Sequence, residues 1–431
     1  MKLIDENIYN THSKAIAIAQ LSEVHFILGH QEEAEVRLID AIKVKEEVDE
    51  PVERVTAARE IMRVAGIFDR HTQAQKLLEE SFDLVDTVDD PQEKESILKD
   101  LIYSMVFSQD VKISRGIITQ ALIFAKAEPD YLSTFLVALA DSARYYKDSK
   151  VAKEFFDQGL IDFNEISDPE DYAKSLASIG EAYARLGSHS QAKITLDEAI
   201  NLAQKVDKQS DRSEILGAVA FSARKLNKAA YRKEVWLKLI NLSNDLRNED
   251  DRYTILSNIV SAIKRTENIT NSEEILAEIT NIARNFKEDS LKAYLLIQIA
   301  WVRGHLEQPK QMQQLLLESE ALARKTKDKW IKSNIYGFIM WATSDLEFYN
   351  QTKLILPIAL ETARDARNST YLYWAAIHFA QIGNWRMAQS VAQECESSDK
   401  LKALSKILTI WAEKQKPKLR EWRETEEKLW D

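Results

Sequence analysis

Arg185, Lys225 and Arg265 recur at a constant spacing of 40, with Arg224 and Lys264 beside the last two and Arg144 one comparable step before the first. A guanidinium can hold a carboxylate through two parallel N–H bonds. On a chain of net charge −11, a ladder of cations would focus its field on an acidic segment. The ordinary alternative is that Lys and Arg gather at the last turn of any helix, where they complement the negative end of its dipole. A second set of candidates is aromatic. All nine tryptophans lie in the second half of the chain: Trp236, Trp301, Trp330, Trp341, Trp374, Trp385, Trp411, Trp422 and Trp430. Aromatic and Arg side chains carry most of the energy in binding hot spots. Rings of this kind also fill joints between poorly matched elements, which is the preferred account of Trp236 and Trp374.

No catalytic or metal-binding constellation accompanies them. The histidines are His12, His25, His30, His71, His189, His305 and His378, and none forms an i, i+4 pair of the helical zinc type. His25 and His30 are five apart, on opposite sides of a helix or across its end. The chain has no Gly-rich phosphate loop, no dinucleotide fingerprint and no G-x-S-x-G elbow. Cys395 is the one cysteine, which rules out an internal disulfide and a cysteine metal cage. The expectation is therefore no catalytic residue, no metal and no cofactor. An all-helical enzyme built on a carboxylate pair is the disfavoured alternative.

Composition narrows the classes further. Of 431 residues, 45% are hydrophobic and 29% charged, the balance of a folded chain. Ten glycines and seven prolines are too few for many tight-turned strands, which favours helices. The length exceeds what one compact core spans, a limit that stacked repeats avoid. A pI near 5.4 argues against a nucleic-acid partner. No stretch reaches the roughly 20 apolar residues of a membrane span, and the start MKLIDENIYN is unlike a signal peptide. A cytoplasmic location is expected.

The elements that must position these side chains are legible from prolines. Pro51, Pro91, Pro129 and Pro169 are spaced 40, 38 and 40, and follow Glu50, Asp90, Glu128 and Asp168. Proline suits the first turn of a helix, where its missing N–H would be unpaired anyway, and an acid just before it faces the positive end of the dipole. One helix start is thus written four times at a period near 40, the mark of a helical repeat array. Further first helices are predicted near Ser210, Asp250, Asp289, Lys329 and Ser369, and a last helix over 399–415. The clearest unit is 173–206. Leu176, Ile179 and Tyr183 share a helix face, Gly187 ends that helix as a left-handed residue, and Ala192, Leu196 and Ala199 mark a second helix.

This unit resembles the tetratricopeptide repeat in its order of large and small residues: Leu176, Ile179, Gly180, Tyr183, Ala192, Leu196, Ala199. Residues 16–41 echo it with Ile18, Leu21, Ser22, His25, Gly29, Ala34, Leu38 and Ala41, and residues 372–395 with Leu372, Ala375, Ala376, Phe379, Gly383, Ala388, Ala392 and Cys395. The last position makes Cys395 a packed core thiol rather than a nucleophile. The period near 40 is longer than the repeat usual in that family, and the family tryptophan is absent.

The resemblance implies an all-α solenoid, a right-handed superhelix of about ten antiparallel helix pairs over 1–415. The tail 416–431 would be an amphipathic capping helix, or a means of self-association. Two irregularities predict a bend near 304–357: extra residues between the helices of unit 8, from Gly304 to Pro309, and Pro357 inside a second helix. In that family the first helices line the concave surface. This face would then present Arg144, Arg185, Arg224, Lys225, Lys264, Arg265, Tyr294, Trp301 and Tyr373 to a protein or peptide, with an acidic segment the best charge match. The function implied is a non-enzymatic scaffold or adaptor. A peptide-sensing regulator that changes shape on binding, or a sensor array paired with a separate effector, are the alternatives.

Overall fold

The computed structural model describes residues 10–108, 110–128, 169–266, 272–346 and 348–415, with scattered positions between 131 and 160. Among these residues the regular structure is helical, without a strand. The helices are α1 (Thr11–Leu28), α2 (Gln31–Glu46), α3 (Pro51–Ile67), α4 (His71–Asp83), α5 (Pro91–Ser108), α6 (Val111–Ala127), α7 (Pro169–Arg185), α8 (His189–Ala203), α9 (Gln209–Ser222) and α10 (Ala229–Asn244). They continue as α11 (Glu249–Lys264), α12 (Glu273–Arg284), α13 (Asp289–His305), α14 (Pro309–Lys325), α15 (Lys329–Asp345), α16 (Tyr349–Ala366), α17 (Ser369–Gln381), α18 (Trp385–Glu394) and α19 (Ser397–Gln415). Two compact units divide them, with main bodies Met1–Ala192 and Lys193–Trp411. Each is an all-α stack of sequential helix pairs, as the repeat pattern predicts. The fourth pair, Pro129, Arg144 and the tail from residue 416 lie outside the described residues.

The period is carried by the helix starts. From Pro169 to Ser369, first helices begin at 169, 209, 249, 289, 329 and 369, a constant step of 40. Pro51, Pro91 and Pro169 each open a helix. The preceding acid caps unevenly: Asp90 accepts the N–H of Glu93 at 2.9 Å, whereas the Glu50 side chain makes no cap bond. Glu249 instead staples one repeat to the next. Its carboxylate accepts the backbone N–H groups of Lys287 and Glu288, at 2.9 and 3.0 Å, just before α13 begins. Gln209 does the same for Arg247 at 2.9 Å.

Within pairs, small residues let the helices meet. Ala34, Ala192 and Ala388 are fully buried. Ser22 donates its hydroxyl to the Ala34 carbonyl at 2.6 Å, satisfying a buried polar group across the pair. Gly29, Gly187 and Gly383 hold φ near +80°, ending their first helices in the left-handed region.

The expected insertion in unit 8 is absent. α13 ends at His305 and α14 starts at Pro309, a connection of the same length as those joining α3 to α4 and α7 to α8. Glu307 takes φ 57° and does the turning that glycine does elsewhere, so an ordinary connection reads as irregular in sequence. The longer connection is between α11 and α12, from Lys264 to Glu273. Pro357 lies inside α16, which continues through it.

Candidate partner-binding face

In the second unit, α9, α11, α13, α15 and α17 pack each on the next, while the second helices make much sparser contact with one another. The first helices therefore form the more closely packed layer of this unit, and the surface they present is termed its inner face.

An aromatic file crosses that face. Tyr294 of α13 meets Phe338 of α15 edge-on at 5.4 Å, and Phe338 meets Tyr371 of α17 at 6.1 Å. Tyr253 of α11 extends it, its hydroxyl accepting the Gln298 amide N–H at 3.1 Å. Asn368 donates to Asn334 at 3.1 Å along the same line. Burial pushes the Tyr253 phenol up to about 12, and Tyr294 and Tyr371 upward as well. Glycine at 337 is required here, because a Cβ would lie 2.0 Å from the Tyr371 ring. Phe338 keeps 36% of its surface exposed at the centre of the file.

At the C-terminal ends of the same helices sits a charged aromatic cluster. Trp301 of α13 and Trp341 of α15 have ring centroids 4.4 Å apart. The Lys264 ammonium, at the end of α11, lies 3.0 Å from the centroid of Trp301 and 5.7 Å from that of Trp341. Asp345, the last residue of α15, accepts the Trp301 indole N–H at 2.6 Å, pairs with Lys264 at 3.6 Å and lies 3.3 Å from His305 Nε2. An acid at a helix C-terminus opposes the dipole, so these partners hold it in place. Burial alone would raise its carboxyl, but the His305 contact, the Lys264 charge and the indole N–H hold it at about 2. Behind it His378 is buried, with Nδ1 2.5 Å from Gln381 Oε1, and burial lowers its pKa to about 4.

The structure separates the other sequence candidates. Arg185 belongs to the first unit, where its side chain is 7% exposed and grips Glu181 at 2.6 Å. Other cations on that unit's first helices are compensated in the same way. Arg63 bridges Glu23 and Glu60 at 2.6 and 2.9 Å, and Arg59 pairs with Asp100 at 2.7 Å. Arg224 is buried in a tight turn after α9, its guanidinium 3.8 Å over Phe221 and donating to the Phe221 carbonyl at 3.0 Å. Lys225 follows in that turn, half-buried. Arg265 is exposed, its guanidinium 5.4 Å from the centroid of the same Phe221 ring. Tyr294 joins the aromatic file, while Trp301 is largely buried beside Trp341. Tyr373 turns to Trp374 at 5.1 Å and feels the Asp399 charge of α19, and Tyr371 takes the place in the file. Trp236 is core, donating to the Ala220 carbonyl at 2.9 Å. His25 and His30 meet across the end of α1 at 5.9 Å. Cys395 is a buried thiol pushed up to about 12.

Trp341 stands among the aromatic candidates of the sequence without a place on the face, and Tyr253, His305, Phe338, Asp345 and Tyr371 are not among the candidates. The signal is the period itself. Positions 185, 225, 265, 305 and 345 read Arg, Lys, Arg, His, Asp, and Trp341 stands one period after Trp301. Carrying the ladder two steps further reaches the cluster.

Among the described residues no group of His, Cys, Asp and Glu could hold a metal ion, and no helix is long and apolar enough to cross a membrane. No family model and no curated protein matches the chain. Among solved structures, Ton1535 from Thermococcus onnurineus NA1 is 10% identical, covering 90% of this chain and 98% of its own, with TM-score 0.31. A circular tandem repeat protein with a novel repeat topology is 11% identical, covering 92% and 97%, with TM-score 0.23.

Proposed function

We propose that this protein is a non-enzymatic scaffold that holds a protein or peptide segment along the first helices of its second unit, in the manner of tetratricopeptide arrays. The observation that carries this is the aromatic file Tyr253, Tyr294, Phe338, Tyr371. Its rings recur on successive first helices, half-buried where those helices pack, with Phe338 partly open at their centre. Rings of this kind supply contact area at little entropic cost. Arg265 gives an acidic flank of the partner a cation to meet. A cytoplasmic location suits a chain whose one cysteine is a buried thiol.

The test is a display selection of peptides against the full chain, followed by calorimetry of the tightest one. Phe338→Ala should weaken binding at least tenfold. Leu354→Ala, at a 73% exposed position of the second helix α16, should leave it unchanged. Equal effects of the two substitutions, or none, would remove the inner face from consideration.

A further inference from the structure

We infer that Trp301, Trp341 and Asp345 form a cage for an alkylammonium group, and that Lys264 occupies it in the unbound protein as an internal stand-in. Three independent features of the cage point to a cation. Two indole faces converge with centroids 4.4 Å apart, and a ring face attracts a cation through its quadrupole, tryptophan most strongly. A carboxylate closes the third side, held ionised and oriented by the 2.6 Å bond from the Trp301 indole. An ammonium already sits there, 3.0 Å from one ring centroid and 3.6 Å from the carboxylate. The chain thus displays the ligand chemistry the site accepts.

The geometry also makes exchange feasible. Lys264 is the last residue of α11, two first helices before Asp345, so it reaches the cage past the end of α13 on a flexible four-carbon stem. Its side chain is 24% exposed and that of Asp345 39%. An incoming ammonium would take the place of the Lys264 side chain over the largely buried Trp301 ring. Guanidinium is the poorer fit, since its planar fork would need both carboxylate oxygens, and Oδ2 already accepts the indole N–H and faces His305 Nε2. A partner's lysine side chain and a small quaternary ammonium share the required chemistry.

This inference rests on the inner face being a binding surface, but its test uses small probes and can fail while peptide binding stands. In the wild-type chain, acetylation of Lys264 by an amine-reactive ester would be followed by mass spectrometry with and without tetramethylammonium chloride. Displacement should speed Lys264 acetylation at least threefold, saturably, with no change in matched sodium chloride. In a Lys264→Ala chain of unchanged helical circular dichroism, calorimetry should show tetramethylammonium or n-butylammonium binding at least tenfold tighter than to wild type. The tighter of the two names the source: quaternary ammonium or lysine side chain. Adding Asp345→Asn should cost at least tenfold, and the neutral isostere 3,3-dimethylbutanol should not bind. An unchanged Lys264 acetylation rate, absence of saturable binding to the emptied cage, or equal binding of the neutral isostere would each overturn the inference.

Discussion

Replacing Asp345 by Asn tests whether the carboxylate charge ties α11, α13 and α15 together. The isosteric amide keeps an oxygen for the Trp301 indole but gives up the charge facing Lys264 and His305. The folded carboxyl sits at about 2 against an ordinary 3.8, a gap worth about 2.4 kcal/mol at about 1.36 kcal/mol per pH unit. The side chain is 39% exposed, so solvent screening reduces this to roughly 1 kcal/mol. Because the folded value is depressed, the unfolded chain binds the proton more tightly. The stabilisation is complete above about pH 5, falls to about half near pH 3 and vanishes below the folded value. Thermal melts followed by circular dichroism should show the Asp345→Asn chain about 2–4 °C below wild type at pH 6, for a unit of this size. The deficit should shrink to about half at pH 3. A deficit that is the same at both pH values, or no deficit at pH 6, would show that the charge does not hold the cluster.

Three further comparisons separate causes elsewhere. Gly187→Ala places a Cβ in open space at φ +80°, so backbone strain alone should cost about 1 kcal/mol, while Glu307→Gly, at φ 57°, should raise stability by about 0.5 kcal/mol; both are read from urea transitions. Arg185→Met breaks the buried ion pair with Glu181, whose side chain is 9% exposed, and should cost about 3 kcal/mol; Arg265→Met, at an exposed position, should stay within about 0.5 kcal/mol in the same assay. The Cys395 thiol, pushed up to about 12 by burial, should resist a disulfide-exchange reagent at pH 7.5 in the folded chain and react as one thiol in denaturant.

Much of the fold is legible because each repeat writes its own boundaries. Pro51, Pro91 and Pro169 open helices for a local reason, a fixed φ and a missing donor. Gly187 closes one because it alone takes a left-handed turn without strain. The unit 8 connection misleads for the converse reason: Glu307 adopts the glycine conformation with no glycine to announce it. The site is half legible. Tyr294 stands in the aromatic file, and Lys264 lies over the largely buried Trp301 in the cluster. Arg185 has the ladder spacing and Arg224 stands beside its next rung, but they sit buried against Glu181 and Phe221, because a helix-end cation goes wherever a neighbour supplies a carboxylate or a ring. Tyr371 and Tyr373 are two positions apart, about 200° around a helix. Only the contact with Gly337 selects Tyr371 for the file.

The period, the helical class and the pairing of helices are written in the residues, because they follow from local conformational preference and small residues at Ala34, Ala192 and Ala388. Packing selects which equally spaced side chains meet. Lys264 and Asp345 belong to repeats that are not adjacent in sequence, and they meet because the Lys264 side chain reaches over the Trp301 ring of the helix between them. Periodicity fixes the face on which a side chain emerges. The distance across that face is set by how closely the intervening helices pack, which depends on every joint in the stack at once.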